Sequence, residues 1–121
     1  MKRVLIIEDD VAIRESIAEV LELEGYSVSE AGDGREGLRK ASEAAPNLII
    51  LDLMMPGMNG WQFREAQKAD PELAGVPVVV LSAGATEPWS DMEDVSARFP
   101  KPFNVGALLA AVGRYATAAE P

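Results

Sequence analysis

The chain contains no cysteine and no histidine. The first absence excludes disulfides and thiol chemistry and is compatible with a reducing compartment. The second removes the side chain that most often serves as general base near neutral pH, together with the commonest neutral zinc ligand. Basic residues are also scarce, with 11 Lys and Arg against 20 Asp and Glu for a net charge of -9. That balance excludes contact with nucleic-acid phosphates by this chain itself, which needs a basic surface. It fits a protein that meets cations or basic partners. No apolar run approaches the roughly 18 residues that a membrane helix needs. The N-terminus opens on a strand pattern rather than a secretory leader. No membrane insertion and a cytoplasmic location are therefore expected.

What the chain does have is ordinary core material: 121 residues, 48% of them hydrophobic. This suits one domain over residues 1–121, with a core from about 2 to 115 and a fraying tail at 116–121. No internal repeat or linker is visible. Val4–Ile7, Leu48–Leu51 and Val76–Leu81 are continuous apolar runs, the mark of parallel strands covered on both faces. Tyr26–Glu30 predicts a weaker strand, and Arg98–Phe99, ahead of Pro100, a short one. Five helices are predicted between and after them. Asp9 or Asp10 caps the first, which carries Ile13, Ile17, Val20 and Leu21 on one face and stops at Gly25. Asp33 and Glu36 form a capping pair for the second, which reaches about Ala44. The third starts near Asn59 and ends before Asp70-Pro71, with a thin apolar face of Trp61, Phe63 and Ala66. The fourth is short, around Pro88 to Ser96, and Asn104 caps the fifth. Five β-α units imply right-handed crossovers and a three-layer α/β sandwich.

Ligands of such sheets sit outside the carboxyl ends of the strands. Glu8-Asp9-Asp10 follow the first strand, Asp52 ends the third, Ser82 the fourth, and Lys101 follows the fifth. Clustered carboxylates raise one another's pKa, and a hard divalent cation such as Mg2+ removes that conflict. Mg2+ also takes phosphate oxygens as ligands, which the Ser82 hydroxyl and Lys101 ammonium could hold as well. With neither His nor Cys available, an Asp carboxylate is the phosphoryl acceptor this set offers. The bland readings stand beside these. The acidic triplet could serve only the dipole of the first helix, Asp52 could be a turn residue before Met-Met-Pro-Gly, and Ser82 and Lys101 are uninformative singly. Asp10 is assigned to the cap or to solvent. Met54, Met55 and Met58 are expected to pack the loop, and Trp61 and Trp89 to be core or half-buried.

In order along the chain, VLIIEDDVAIRE, LIILDLMMPGMNGW, VPVVVLSA and KPF resemble the receiver domain of bacterial two-component response regulators, over about residues 2 to 115. The resemblance implies a flavodoxin-like (βα)5 fold with a parallel five-stranded sheet in the order 2-1-3-4-5. It implies Asp52 as phosphoacceptor and Asp9 as a direct Mg2+ ligand with Glu8 as its acidic partner. Met54 would lend its backbone carbonyl to the metal, while Ser82 and Lys101 would hold the phosphoryl group. The Lys101-Pro102 bond is expected to be cis on the same ground, since the intrinsic frequency for X-Pro is only about 5–6%. The implied partners are a histidine kinase or histidine phosphotransfer protein, a downstream protein target, and a phosphorylation-dependent second copy. The family catalyses its own phosphoryl transfer and slow dephosphorylation and is otherwise no enzyme.

Two features depart from the family pattern. The segment AGATEPWSDMEDVSARFP between Ser82 and Lys101 is a few residues short, so the fourth helix should be short or shifted. Three residues before the lysine stands Arg98, where an aromatic switch residue is common. An arginine does not bury as an aromatic ring does. The departure bears on the switch and on the family's dimer face, built by the fourth helix, fifth strand and fifth helix, not on the acceptor chemistry. Two competing readings follow: an interaction module that works unphosphorylated, and an Asp-nucleophile phosphohydrolase, which would want a second Asp where Met54 stands. The chain shows no DNA-binding module, whether it is a stand-alone receiver or one cut from a longer protein.

Overall fold

The computed structural model describes residues 2–82 and 95–116. Five strands, β1 (Arg3–Ile7), β2 (Ser27–Ala31), β3 (Leu48–Asp52), β4 (Val78–Ser82) and β5 (Ala97–Pro100), form one parallel sheet. Their order is β2-β1-β3-β4-β5, as expected for a flavodoxin-like fold. Four helices lie among the described residues: α1 (Val11–Leu23), α2 (Gly34–Glu43), α3 (Gly60–Ala69) and α4 (Val105–Tyr115). The predicted helix around Pro88 falls outside the described residues, as does Trp89. It does not extend to Ser96, whose N–H already donates to the Val78 carbonyl at 2.9 Å as the chain enters β5.

The continuous apolar runs have a direct explanation. Successive side chains of a strand point to opposite faces. Val4 and Ile6 pack with Ile17, Leu21, Leu108 and Val112 of α1 and α4. Leu5 and Ile7 pack on the other side with Ala41 of α2 and Phe63 of α3. Every residue of β3 is buried, because β3 is central and covered by both helix layers. Helix ends follow their caps: Asp10 Oδ1 accepts from the Ile13 N–H at 3.1 Å, and Asn104 Oδ1 from Ala107 at 2.8 Å. Asn59 and Gln62 form a reciprocal capping box at the start of α3. In α2, Asp33 caps Glu36 as expected, but the Glu36 carboxylate reaches the Gly32 N–H rather than that of Asp33. Gly25, at φ 95°, turns the chain out of α1.

Two expectations fail, one because polar groups can be buried when paired and the other because the end of α4 lies on the core. The inner face of α3 is not only Phe63; Arg64 and Gln67 are buried too. Gln67 Nε2 donates to the Leu73 and Val76 carbonyls at 2.9 and 3.1 Å, and its Oε1 accepts from Arg64. Ala116, assigned from the sequence to the fraying tail, is buried against the core, and its carbonyl accepts from Lys2 Nζ at 2.8 Å.

At the C-terminal end of β3 the first residue of α3 lies against the strand. A Cβ on Gly60 would sit 2.7 Å from Leu53 Cα and 2.9 Å from the Asp52 carbonyl oxygen. Neither is a flexible side chain, so α3 itself would have to move. Gly60→Ala is expected to destabilise the fold by about 1–3 kcal/mol, as overpacking does. Urea unfolding measures this, and an unchanged midpoint would contradict the close approach.

Candidate functional site

Register brings the predicted site residues to one edge of the sheet. Ile7 pairs with Leu51, so Glu8 and Asp52 leave neighbouring strands side by side. Asp52 pairs with Leu81 and Ser82 with Pro100, and the Lys101 N–H donates to the Ser82 carbonyl at 2.7 Å. Glu8, Asp52 and Ser82 are buried, Asp9 is exposed, and the Met54 side chain is exposed in the loop beyond Asp52. Lys101 Nζ lies 3.0 Å and 3.3 Å from the two Glu8 carboxylate oxygens and 3.5 Å from Asp52 Oδ1. Carboxylate oxygens of Glu8, Asp9 and Asp52 fall within 4.8 Å of one another. The Met54 N–H donates to Asp52 Oδ1 at 3.2 Å. Asp52 Oδ2 and the Ser82 hydroxyl have no hydrogen-bond partner among the described residues. The Lys101-Pro102 peptide is cis.

The acidic triplet divides its work. Asp10 caps α1 and turns away from the cluster, while its own N–H donates to Glu8 Oε2 at 3.1 Å. Glu8 is the innermost of the three and carries the lysine. The sequence suggests Lys101 for an incoming group; in the structure it is already engaged by Glu8 and Asp52. One contributor escaped sequence reasoning altogether. Arg14, on α1, donates through Nη1 to the Glu8 carbonyl at 3.0 Å and through Nε to Glu30 at 3.1 Å. Nothing in the string marks it, because its target is a backbone oxygen.

Residues 4–113 match the family model of the response regulator receiver domain. The chain belongs to that family. Receiver relatives include the DNA-binding response regulator MtrA of Mycolicibacterium paratuberculosis, 40% identical over 82 residues, which are 68% of this chain and 35% of that protein. The DNA-binding dual master transcriptional regulator RpaA of Synechocystis is 38% identical over 93% of this chain and 48% of its own length. This receiver therefore spans about a third to a half of those curated relatives. Among solved structures, the chemotaxis protein CheY4 of Vibrio cholerae superimposes with a TM-score of 0.86 at 33% identity, over 95% of this chain and 98% of that one. No helix among the described residues of the receiver is long and apolar enough to cross a membrane.

Charge in the receiver's site is unbalanced. Burial and then the Glu8 charge push the Asp52 carboxyl up to about 8, against the pull of Lys101. Burial pulls the Lys101 ammonium down, but its hydrogen bond to Glu8 and the charges of Asp52 and Glu8 outweigh this and hold it above its ordinary value. Two buried acids thus share one lysine. An acid whose folded pKa is raised binds its proton more readily folded than unfolded, so its ionisation opposes folding. The penalty is absent below the unfolded value of 3.8, grows as pH rises, and is complete above about 8. Asp52→Asn should accordingly stabilise the metal-free protein at pH 7.5 by about 1–3 kcal/mol, the usual cost of a poorly satisfied buried polar group. The gain should vanish near pH 4. Denaturant midpoints at both pH values test this, and an equal or lower midpoint at pH 7.5 would refute it.

Proposed function

We propose that this receiver accepts a phosphoryl group on Asp52, from a phosphohistidine of a kinase or phosphotransfer protein, and passes the signal on by changing what it docks to. The observation that carries this reading is the placement of Asp52: buried, beside a second buried acid and a lysine, with Oδ2 unpartnered among the described residues. That surrounding also fits Mg2+, because three carboxylates converge and burial together with the Glu8 charge drives Asp52 toward its neutral form. Glu8, Asp9, Asp52 and the Met54 backbone carbonyl would hold the cation. Bound there, Mg2+ supplies the missing charge and a binding point for a phosphoryl oxygen.

The protein's own groups then have distinct tasks. The Met54 N–H and Lys101 hold Asp52 Oδ1, leaving Oδ2 to form the bond to phosphorus. The bond from phosphorus to the donor's imidazole nitrogen breaks, and its electron pair stays on that nitrogen. Ser82, whose hydroxyl has no partner among the described residues, donates to a phosphoryl oxygen. Lys101 is close enough to exchange its carboxylate partners for the same group. Because Lys101 and Ser82 are joined through backbone at 2.7 Å, their shift alters the segments that follow β4 and β5. Met54 offers no acid two residues beyond Asp52, so the acyl phosphate should accumulate rather than turn over as in a phosphohydrolase. With a net charge of -9, the domain itself is read as acting through protein contacts. The exposed Arg98 on β5 argues against an inward aromatic switch at that position.

Acetyl phosphate with Mg2+ should label the protein to about one group per chain, and Asp52→Asn should take up none. Lys101→Ala should still accept some label but fail to shift the NMR resonances of residues 95–105. Undiminished labelling of Asp52→Asn, or sustained hydrolysis of simple phosphomonoesters, would sink the assignment.

A further inference from the structure

We propose that Arg14 is a positioning residue of the cation site, which fixes the peptide from which Glu8 and Asp9 both project. The proposal rests on the reading that Glu8, Asp9 and Asp52 hold a divalent cation. The Glu8–Asp9 peptide begins where the sheet ends: the Glu8 N–H makes the last bond to β2, on the Ala31 carbonyl at 3.1 Å. The Glu8 carbonyl has passed the ladder and needs an acceptor's partner from elsewhere. Arg14 Nη1 supplies it at 3.0 Å, with Nε on Glu30 at 3.1 Å. The guanidinium is well covered, at 17% side-chain exposure, and lies against Gly32, where a Cβ would come within 3.5 Å of Nη1. Glu30 is itself braced, since Lys40 Nζ donates to its carbonyl and lies 3.7 Å from Glu36. A chain of contacts therefore runs from α2 across β2 to the Glu8–Asp9 peptide.

A tie between α1 and β2 would need only the Arg14–Glu30 pair. The second arm, on the Glu8 carbonyl, is what such a tie leaves unexplained. Turning that peptide would carry the buried Glu8 carboxylate off Lys101 and swing Asp9 relative to Asp52. The positive charge of Arg14 cannot be the benefit, because a cation nearby repels Mg2+. Geometry and charge are thus separable by substitution. A lysine keeps the charge but lacks the fork that serves two acceptors at once.

Arg14→Lys should raise the Kd for Mg2+ about tenfold, as loss of an outer-shell contact does, read by calorimetry and by the amide resonances of residues 8–11. The Mg2+ concentration for half-maximal acetyl phosphate labelling should rise with it. In metal-free protein the same variant should already move the Asp9 amide resonance, since that N–H shares its peptide with the Glu8 carbonyl. If Arg14→Lys does not fold, Glu30→Ala is the second variant; it removes the acceptor of Nε, leaves the guanidinium held by one arm, and should weaken Mg2+ in the same direction. An unchanged Kd in the folded variant, or tighter Mg2+ binding in Arg14→Gln with Arg14→Lys unaltered, would overturn the inference while leaving the proposed function standing. Failure of the wild type to bind Mg2+ at all would overturn both.

Discussion

Two carboxylates buried side by side at the end of the central strands, with a single ammonium between them, set the terms for this molecule. Parallel pairing in this register leaves Glu8 and Asp52 no means of avoiding one another. Lys101 offsets one negative charge, and burial strengthens what is left. The fold therefore carries a local shortage of positive charge at its carboxyl edge. Hydrophobic packing of both helix layers against β1 and β3 offsets the cost. The penalty of placing these charges together is met on folding.

The surroundings hold the cluster still from several directions. Gly60 lets α3 begin against the Asp52 carbonyl, so the end of β3 and the start of α3 are in direct contact. Asp10 spends its side chain on the α1 cap and its N–H on Glu8, which links the helix start to the innermost acid. The bond from the Lys101 N–H to the Ser82 carbonyl joins the last two strand ends. The candidate site side chains thus stand at or just beyond strand termini, and the loop residue Met54 meets Asp52 through its main-chain N–H.

Much of this could be read from the string. The Val-, Ile- and Leu-rich runs located β1, β3 and β4, because burial on both faces leaves no polar alternation. Asn59, Asn104 and Asp10 marked helix starts, because a side-chain oxygen there has a fixed backbone target. Acids and a lysine at strand ends marked the site. What escaped is of another kind. Arg64 and Gln67 are buried because two loop carbonyls and each other satisfy them, and a polar letter carries no sign of that. Arg14 acts on a carbonyl, which every residue possesses. Ala116 is small, and only the position of α4 decides that it lies on the core. Properties of single residues and their periodicity were legible; contacts between side chains and distant backbone were not.

The bond between Lys2 and the Ala116 carbonyl has one further consequence. Strands enter the sheet at the pole where Lys2 lies, and α4 returns to the same pole, opposite the acid cluster. The two described ends of the chain therefore meet on the far side of the molecule from the acid cluster. A tether attached at either end would leave by the rear and keep clear of the approach to Asp52. The same closeness would let a short linker join the ends and new termini be opened in a surface loop, giving a permuted chain with the carboxyl edge untouched.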